Sequence, residues 1–512
     1  MSNIRNIIAS LLLPLCIASC SEASLPDAKQ EAARQLCITS SVEPYQGETA
    51  ATRVNAAGDS FKDGEALLLT EFTDSEVRVV FTDEAGSVLY SEGNSLSGIT
   101  DGELLMAQMM FRALVKITGY TPKWGILTGI RPSKLLRNLK ATYGDENGKE
   151  IFMHDYLVTK EKTALADSVA NTEEKIISLS RPESFSLYVS IPFCPTRCSY
   201  CSFVSHAMTS SLIKKLMPDY LDCLKKEIEL TGKIAKSLGL RLESVYYGGG
   251  TPTTLEADEL KYVIEAISDN FDLSTVREYT IEAGRPDTLT REKFKVMKDG
   301  GVSRISINPQ TFDDKILEAI GRKHTAQMAE NAFYIAREEG FDNINADLIA
   351  GLPNDTLDGF CASLDKALSF SSENITVHTL ALKRSSVMGT TSGQVDTEKS
   401  NLAGSMLDYA YSELTDNEYF PYYMYRQAKS LGNLENTGYS KPDKECLYNI
   451  FMMEECHSVF ALGGGGVTRL KAPNGDKISR IFNYKYPYEY IDDFAEIVKR
   501  KDEIIKFYDS CK

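Results

Sequence analysis

The chain has 512 residues, 43% of them hydrophobic and 25% charged, with a formal net charge of −16. That length and balance describe two to four globular domains with a large core, and the acidic surplus argues against nucleic acid or an anionic membrane as partner, since both favour a basic face. Eleven cysteines in so long a chain do not make the dense framework of a small disulfide-stapled protein.

The first feature is an apolar run, 7–19, that follows Arg5 and ends at Cys20. It resembles a lipoprotein signal with its lipidated cysteine. The other reading is an amphipathic helix with Ile4, Ile7, Ile8, Leu11 and Leu12 at helical spacing and Pro14 near its end. No other stretch is long and apolar enough to span a bilayer. Residues 75–83 alternate as a strand, and 87–93 follow after Gly86, which together predict a hairpin. A helix is expected over 104–119, stopped by Gly119. Residues 123–136, which carry the sole tryptophan, Trp124, read as a loop into a helix beginning near Pro132. A charged helix over 159–180 closes this α+β domain, residues 1–175.

From 176 to 396 strand and helix alternate. Strands are expected at 186–191, 243–250, 279–284, 304–310, 343–353 and 375–382. Between them come helices at 220–230, 257–267, 290–299, 313–321, 325–339 and 355–369, the first two with apolar residues on one face. Such repetition is the βα pattern of a parallel barrel or a doubly wound sheet. The last region, 397–512, starts with a helix over 398–415. It continues through an aromatic-rich stretch at 419–427, then 432–440, and a glycine run before Val467.

The first barrel strand delivers the run CPTRCSYC, with Cys194, Cys198 and Cys201 at spacings of four and three. Three thiolates can hold three irons of a [4Fe–4S] cube, leaving the fourth iron open to a small-molecule ligand. A structural zinc site wants four ligands, usually two separated pairs. Here no second pair exists, and His206 is the one nearby residue that could complete a zinc set. A cluster and its electron donors belong in the reducing cytosol. That favours the helix reading of the N-terminus and a cytoplasmic location.

Other chemistry-bearing residues fall at the carboxyl ends of the expected strands, where parallel barrels build their sites. The second strand ends in Gly248-Gly249-Gly250-Thr251-Pro252, whose glycines let backbone approach a ligand closely. The third ends in Glu282, the fourth in Gln310 with Arg322 on the helix after it, and Asp347 lies within an otherwise apolar fifth strand. A lone strand Asp is more often a structural hydrogen bonder, but these features recur in strand order.

The segments LYVSIPFCPTRCSYCSF, YYGGGTPTTL, TIEAGRPDTLT, RISINPQTF, IGRKHT and NADLIAGLP resemble the oxygen-independent coproporphyrinogen III oxidase family of radical S-adenosylmethionine (SAM) proteins. KWGILTGIRPSKLL, HTLALKRSS and PYYMYRQAKSLGNLENTGYS resemble its HemZ-type coproporphyrinogen dehydrogenases, and the likeness runs from about residue 100 to the end. The resemblance implies a partial (βα)6 TIM-like barrel with an α+β N-terminal domain and a C-terminal α+β extension covering the substrate. It implies Cys194, Cys198 and Cys201 as cluster ligands. Tyr188, Gly249 and Glu282 would contact cluster-bound SAM. Tyr200, Gly250, Thr251, Gln310, Arg322, Asp347 and Ala381 fall where the family binds SAM or a second SAM. The implied reaction converts two propionates of coproporphyrinogen III to vinyls, giving protoporphyrinogen IX. A deoxyadenosyl radical starts it, and a flavodoxin- or ferredoxin-type donor supplies the electron.

A substrate with four propionates needs cationic and hydroxyl donors. Lys383, Arg384, Tyr422, Tyr425 and Arg426 are the candidates, with core packing the equal alternative for the tyrosines. Phe203 stands where the best-characterised branch carries a further cysteine, a feature shared with the haem-chaperone branch. That branch, of the HemW type, is the competing reading. Its His/Tyr-Trp segment after the barrel is not matched here, where the only tryptophan lies far upstream.

Overall fold

The structure, a computed structural model, describes residues 50–53, 67–83, 86–203, 205–381, 386, 397–427 and 429–511. The run 7–19, with its two readings, and the candidates Lys383 and Arg384 lie outside the described residues. The chain divides into two compact units: residues 1–170 with 391–405 and 424–435, and the remainder.

The first unit holds an antiparallel meander of β1 (Ala50–Arg53), β2 (Leu67–Phe72), β3 (Glu76–Thr82) and β4 (Val88–Ser95). The expected hairpin is β3 and β4. Inward residues Val77, Val79 and Phe81 of β3 pack with Leu68 against Met109, Met110, Ala113 and Leu114 of the helix Gly102–Thr118. Asp101 caps that helix by accepting from the Leu104 N–H, and Gly119 ends it with φ +71°. Trp124 is buried, and its indole N–H donates to Glu435 at 2.6 Å. The second Glu435 oxygen is paired with the buried Lys162 at 2.6 Å.

The second unit contains the barrel strands. Seven strands run parallel in the order β15 (Ser458–Leu462), β5 (Ser184–Ile191), β8 (Arg241–Gly249), β9 (Glu278–Glu282), β10 (Arg304–Gln310), β11 (Ile344–Ala350) and β12 (Asn374–Thr379). Further strands extend the sheet on both sides: β14 (Glu435–Ser440), antiparallel to β12, and then β13 (Phe420–Arg426) on one side, and the antiparallel β16 (Val467–Lys471) and β17 (Ile478–Phe482) beyond β15 on the other. The fold is mixed α/β, with a large, mostly parallel sheet in partial-barrel form. The six expected strands are all present, each within a few residues of its forecast.

Local chemistry explains the alternation. Several strands lead into a helix with a side-chain cap: Thr290, Asp313, Thr325 and Thr356 each accept a backbone N–H of the first turn. The helix expected over 220–230 runs from Ser211 to Ser237 and passes through Pro218. Proline removes one intrahelical bond, yet the apolar face of Met217, Tyr220, Leu221, Leu224 and Ile228 stays buried along its length.

The inner face of the sheet is polar. Tyr188, Tyr246, Thr280 and Arg304 are successive cross-strand partners on β5, β8, β9 and β10. Glu282, Ser306, Asn345 and Asn374 form the next such row across β9 to β12. The other face carries the aliphatic residues that the helices cover, such as Ile281, Ile305, Ile307, Ala346 and Leu348, all essentially inaccessible.

Candidate active site

The cysteine loop leaves β5 through the short strand β6 (Phe193–Cys194), which pairs with β7 (His206–Ala207). Backbone bonds pin it at several points. Thr251 N–H donates to Phe193 O at 2.7 Å, Gly250 N–H to Ile191 O at 2.8 Å, and Ser199 N–H to Ile320 O at 3.0 Å. Cys198 is buried, and Cys194 and Cys201 are half-buried. The Thr251 hydroxyl donates to the Cys194 sulfur at 3.4 Å, and the Arg285 guanidinium reaches the Cys198 sulfur at 3.8 Å. Arg285 is itself fixed by a two-point pair with Asp287 at 2.9 and 2.8 Å, and by Thr196 O at 3.2 Å. Burial first, and then the other two thiols, push the Cys201 thiol up to about 11. A cationic centre would reverse that penalty, because thiolates are the metal-binding form.

The glycines after β8 lie against this loop. Gly249 has φ +101°, a region that favours glycine. A Cβ on Gly250 would sit 2.4 Å from Phe193 O and 2.7 Å from Phe193 N. Gly250→Ala is therefore expected to displace the loop. Iron incorporation on reconstitution should fall several-fold while helical content is kept, and an alanine variant that loads iron normally would show that this contact does not hold the loop.

Tyr188 stacks with Tyr246 and Tyr448, ring centroids 6.4 and 6.0 Å away, and Tyr246 stacks with Tyr448 at 4.4 Å. The Tyr246 hydroxyl donates to Glu282 at 2.6 Å. Burial raises the Glu282 carboxyl to about 7, with the nearby Asp347 charge adding to the rise. Asp347 goes the other way. Bonds and charge from His378, with a bond from Asn345, outweigh its desolvation and hold it below the usual carboxylate range.

Arg322 is buried and donates to the Asn308 carbonyl and, at 3.4 Å, to Gly284 O, while its Nε has no partner. It also bonds the half-buried Tyr200. Gln310 adopts φ +69°, a left-handed conformation that costs a non-glycine residue roughly 1–2 kcal/mol. Its buried Oε1 has no partner. Unpartnered buried polar atoms at the strand ends suit a polar ligand. Ala381 follows β12 and is half-buried.

Cys194, Cys198, Cys201, Tyr188, Tyr200, Gly249, Gly250, Thr251, Glu282, Gln310, Arg322, Asp347 and Ala381 thus all belong to one unit, on the sheet's inner face or its carboxyl-end loops. The expected substrate donors divide. Tyr422 is fully buried, so its hydroxyl faces no open surface. Arg426, in the other unit, is also buried. Its Nη1 donates to Leu127 O at 2.8 Å, its Nε to Asn433 O at 3.1 Å, and its guanidinium lies over Trp124, 5.7 Å from the ring centroid. That geometry gives Arg426 a packing role instead of a free cation. Tyr425 is half-buried. Sequence reasoning passed over Arg285, Tyr246, Tyr448, Asn345 and His378. The signal for three of these was available: polar residues at every second position of strands otherwise built of Ile, Val and Ala.

Among the described residues, no three His, Cys, Asp or Glu side chains converge where a single metal ion would sit. A cube makes a different demand, since each thiolate meets its own iron. Three thiols on one braced loop, with a hydroxyl and a guanidinium donating to two of them, fit that demand.

Residues 188–367 match the radical SAM superfamily. The oxygen-independent coproporphyrinogen-III oxidase-like protein HemZ of Bacillus subtilis (strain 168) is 37% identical over 394 residues, 76% of this chain and 78% of that protein. The chain belongs to the HemZ-like radical SAM proteins. Membership in the radical SAM family implies a [4Fe–4S] cluster and SAM. The haem chaperone HemW of the same organism is 38% identical to this HemZ-like chain over 203 residues, 40% of the chain and 52% of HemW. Coproporphyrinogen III oxidase (HemN) from Escherichia coli superposes on 64% of the HemZ-like chain and 73% of its own, at 21% identity and a TM-score of 0.49. Among the described residues no helix is long and apolar enough to cross a membrane.

Proposed function

We propose that the protein oxidatively decarboxylates propionate side chains of coproporphyrinogen III to vinyls without oxygen, as a cytoplasmic step of porphyrin formation. Cys194, Cys198 and Cys201 hold the cluster. Tyr188, Gly249, Gly250, Thr251, Glu282, Gln310, Arg322 and Asp347, with Tyr200 and Ala381, enclose SAM. The cluster and SAM, when bound, supply a carbon-centred radical able to remove a hydrogen atom from the propionate β-carbon. The hydrogen atom leaves on the radical that removed it, and each propionate then loses carbon dioxide and passes one electron to an external one-electron acceptor, so that the new double bond is the vinyl group. The protein's part is to bind, orient and shield: the tyrosine stack and the buried rim keep water from the reacting atoms. Lys383, Arg384 and Tyr425 remain the donors offered to the substrate carboxylates, and a flavodoxin or ferredoxin provides the electron.

The observation that carries this reading is the extent of the HemZ likeness. It covers 76% of the chain, whereas the HemW likeness spans 40%. The test is anaerobic purification, reconstitution with iron and sulfide, and incubation with SAM, a reductant and coproporphyrinogen III. Vinyl-bearing product is expected. SAM cleavage with untouched substrate, together with stoichiometric haem binding, would replace this reading with the chaperone one.

A further inference from the structure

His378 lies on β12 with its side chain a quarter exposed, beside Asp347 on β11. Its Nε2 is 3.4 Å from Asp347 Oδ2. The other oxygen, Oδ1, accepts from Asn345 Nδ2 at 2.6 Å. The two carboxylate oxygens therefore face different partners, Oδ1 a hydrogen-bond donor and Oδ2 an imidazole that pairs with it when protonated. The donors are fixed in turn. Thr376 Oγ1 donates to Asn345 Oδ1 at 2.9 Å, and Asn345 Nδ2 also reaches Ser306 Oγ at 2.7 Å. His378 bonds the Asn436 side chain, whose Oδ1 accepts the Thr379 N–H at 2.9 Å. The chain Asn436–His378–Asp347–Asn345–Thr376 spans three adjacent strands, β14, β12 and β11.

The charged groups facing this chain are Glu282 from β9 and Arg304 from β10. Two carboxyls inside one low-dielectric interior cannot both ionise freely. His378 stands beside Asp347 and not beside Glu282, so Asp347 is held below the usual carboxylate range while burial pushes Glu282 up.

We propose that His378 is a positioning residue: standing against Oδ2 of Asp347 while Asn345 holds Oδ1, it presents an oriented carboxylate to SAM at the open end of the sheet. This rests on the reading that Asp347 faces bound SAM. A histidine that only fills space would serve as well when replaced by phenylalanine. One that only donates a hydrogen bond would be replaced by glutamine without loss of the charge relation.

The test has two arms. In metal-free protein with 13C-labelled histidine, the ring signal that disappears in His378→Gln is titrated. It should titrate above the ordinary histidine value of about 6.5, and fall below it in Asp347→Asn. A His378 that titrates at or below the ordinary value in the wild type overturns the proposal, and this arm needs no cofactor. In the second arm, SAM affinity of reconstituted protein is measured by equilibrium dialysis. His378→Phe should weaken binding roughly 10-fold, His378→Gln less, and His378→Phe/Asp347→Asn no more than Asp347→Asn alone, since one residue acts through the other. Additive losses, or unchanged affinity in His378→Phe, overturn the proposal. Failure of the wild type to bind SAM would instead sink the site assignment while leaving the titration result standing. Circular dichroism checks that each variant is folded.

Discussion

Cys198→Ala is expected to lose cluster and SAM cleavage together while keeping its fold. The cysteine loop is braced by groups that the substitution leaves alone. Arg285 keeps its two-point pair with Asp287 and its bond to Thr196 O, losing one long contact to sulfur at 3.8 Å. The backbone bonds from Thr251 to Phe193 and from Ser199 to Ile320 do not involve the side chain. Removing one of three thiolates should therefore drop reconstituted iron and sulfide to background and abolish deoxyadenosine formation, with a thermal midpoint close to wild type. Cys361→Ser, on the outer helix Leu357–Ser369, is the control expected to load and turn over normally. Should Cys198→Ala still cleave SAM, the cluster lies elsewhere.

The second large effect is structural. Lys501→Met is expected to cost about 3–5 kcal/mol, the usual penalty for leaving one charge of a buried pair uncompensated. Glu227 and Lys501 are each about 1% exposed and 2.7 Å apart. Glu227 also accepts from Gly463 N–H at 2.8 Å, Asn483 Nδ2 at 2.8 Å and Tyr490 Oη at 2.6 Å, and Lys501 donates to Ala461 O at 2.8 Å. This network ties the glycine run to the helix Ser211–Ser237. Ser190 Oγ, just before the cysteine loop, donates to Gly464 O at 2.7 Å, and Gly464 N–H donates to Tyr220 Oη at 2.9 Å. Urea denaturation measures the loss. Glu227→Gln/Lys501→Met should recover part of it, since the stranded charge is then gone. A Lys501→Met variant as stable as wild type would show that the pair is not what fastens this segment.

The candidate cysteine loop and the βα repeat were legible because both are local. Cys194, Cys198 and Cys201 stand within one turn-rich loop, and the glycines at 248–250 end the strand beside it. Strand period and helix period switch within windows of about ten residues, and caps such as Thr290, Asp313, Thr325 and Thr356 mark where each helix begins. Other parts depended on chain segments that meet only after folding. β15 joins β5 in parallel, so that Ser186 meets His457 across 271 residues of sequence. No periodicity in the C-terminal region announces that pairing, because parallel partners need no short turn between them. Tyr422 and Arg426 read as a substrate grip, and the fold buried both, because an exposed-looking aromatic segment became strand β13.

The candidate site residues were thus named by sequence alone, since spacing within a loop and glycine at a strand end survive any arrangement of the rest. Their charge states were decided by tertiary structure. The opposite shifts of Glu282 and Asp347 depend on the strand register that puts His378 and Asn345 beside one carboxyl and Tyr246 against the other. Electrostatic cost in a buried interior is a property of neighbours in space, and those neighbours come from three different strands.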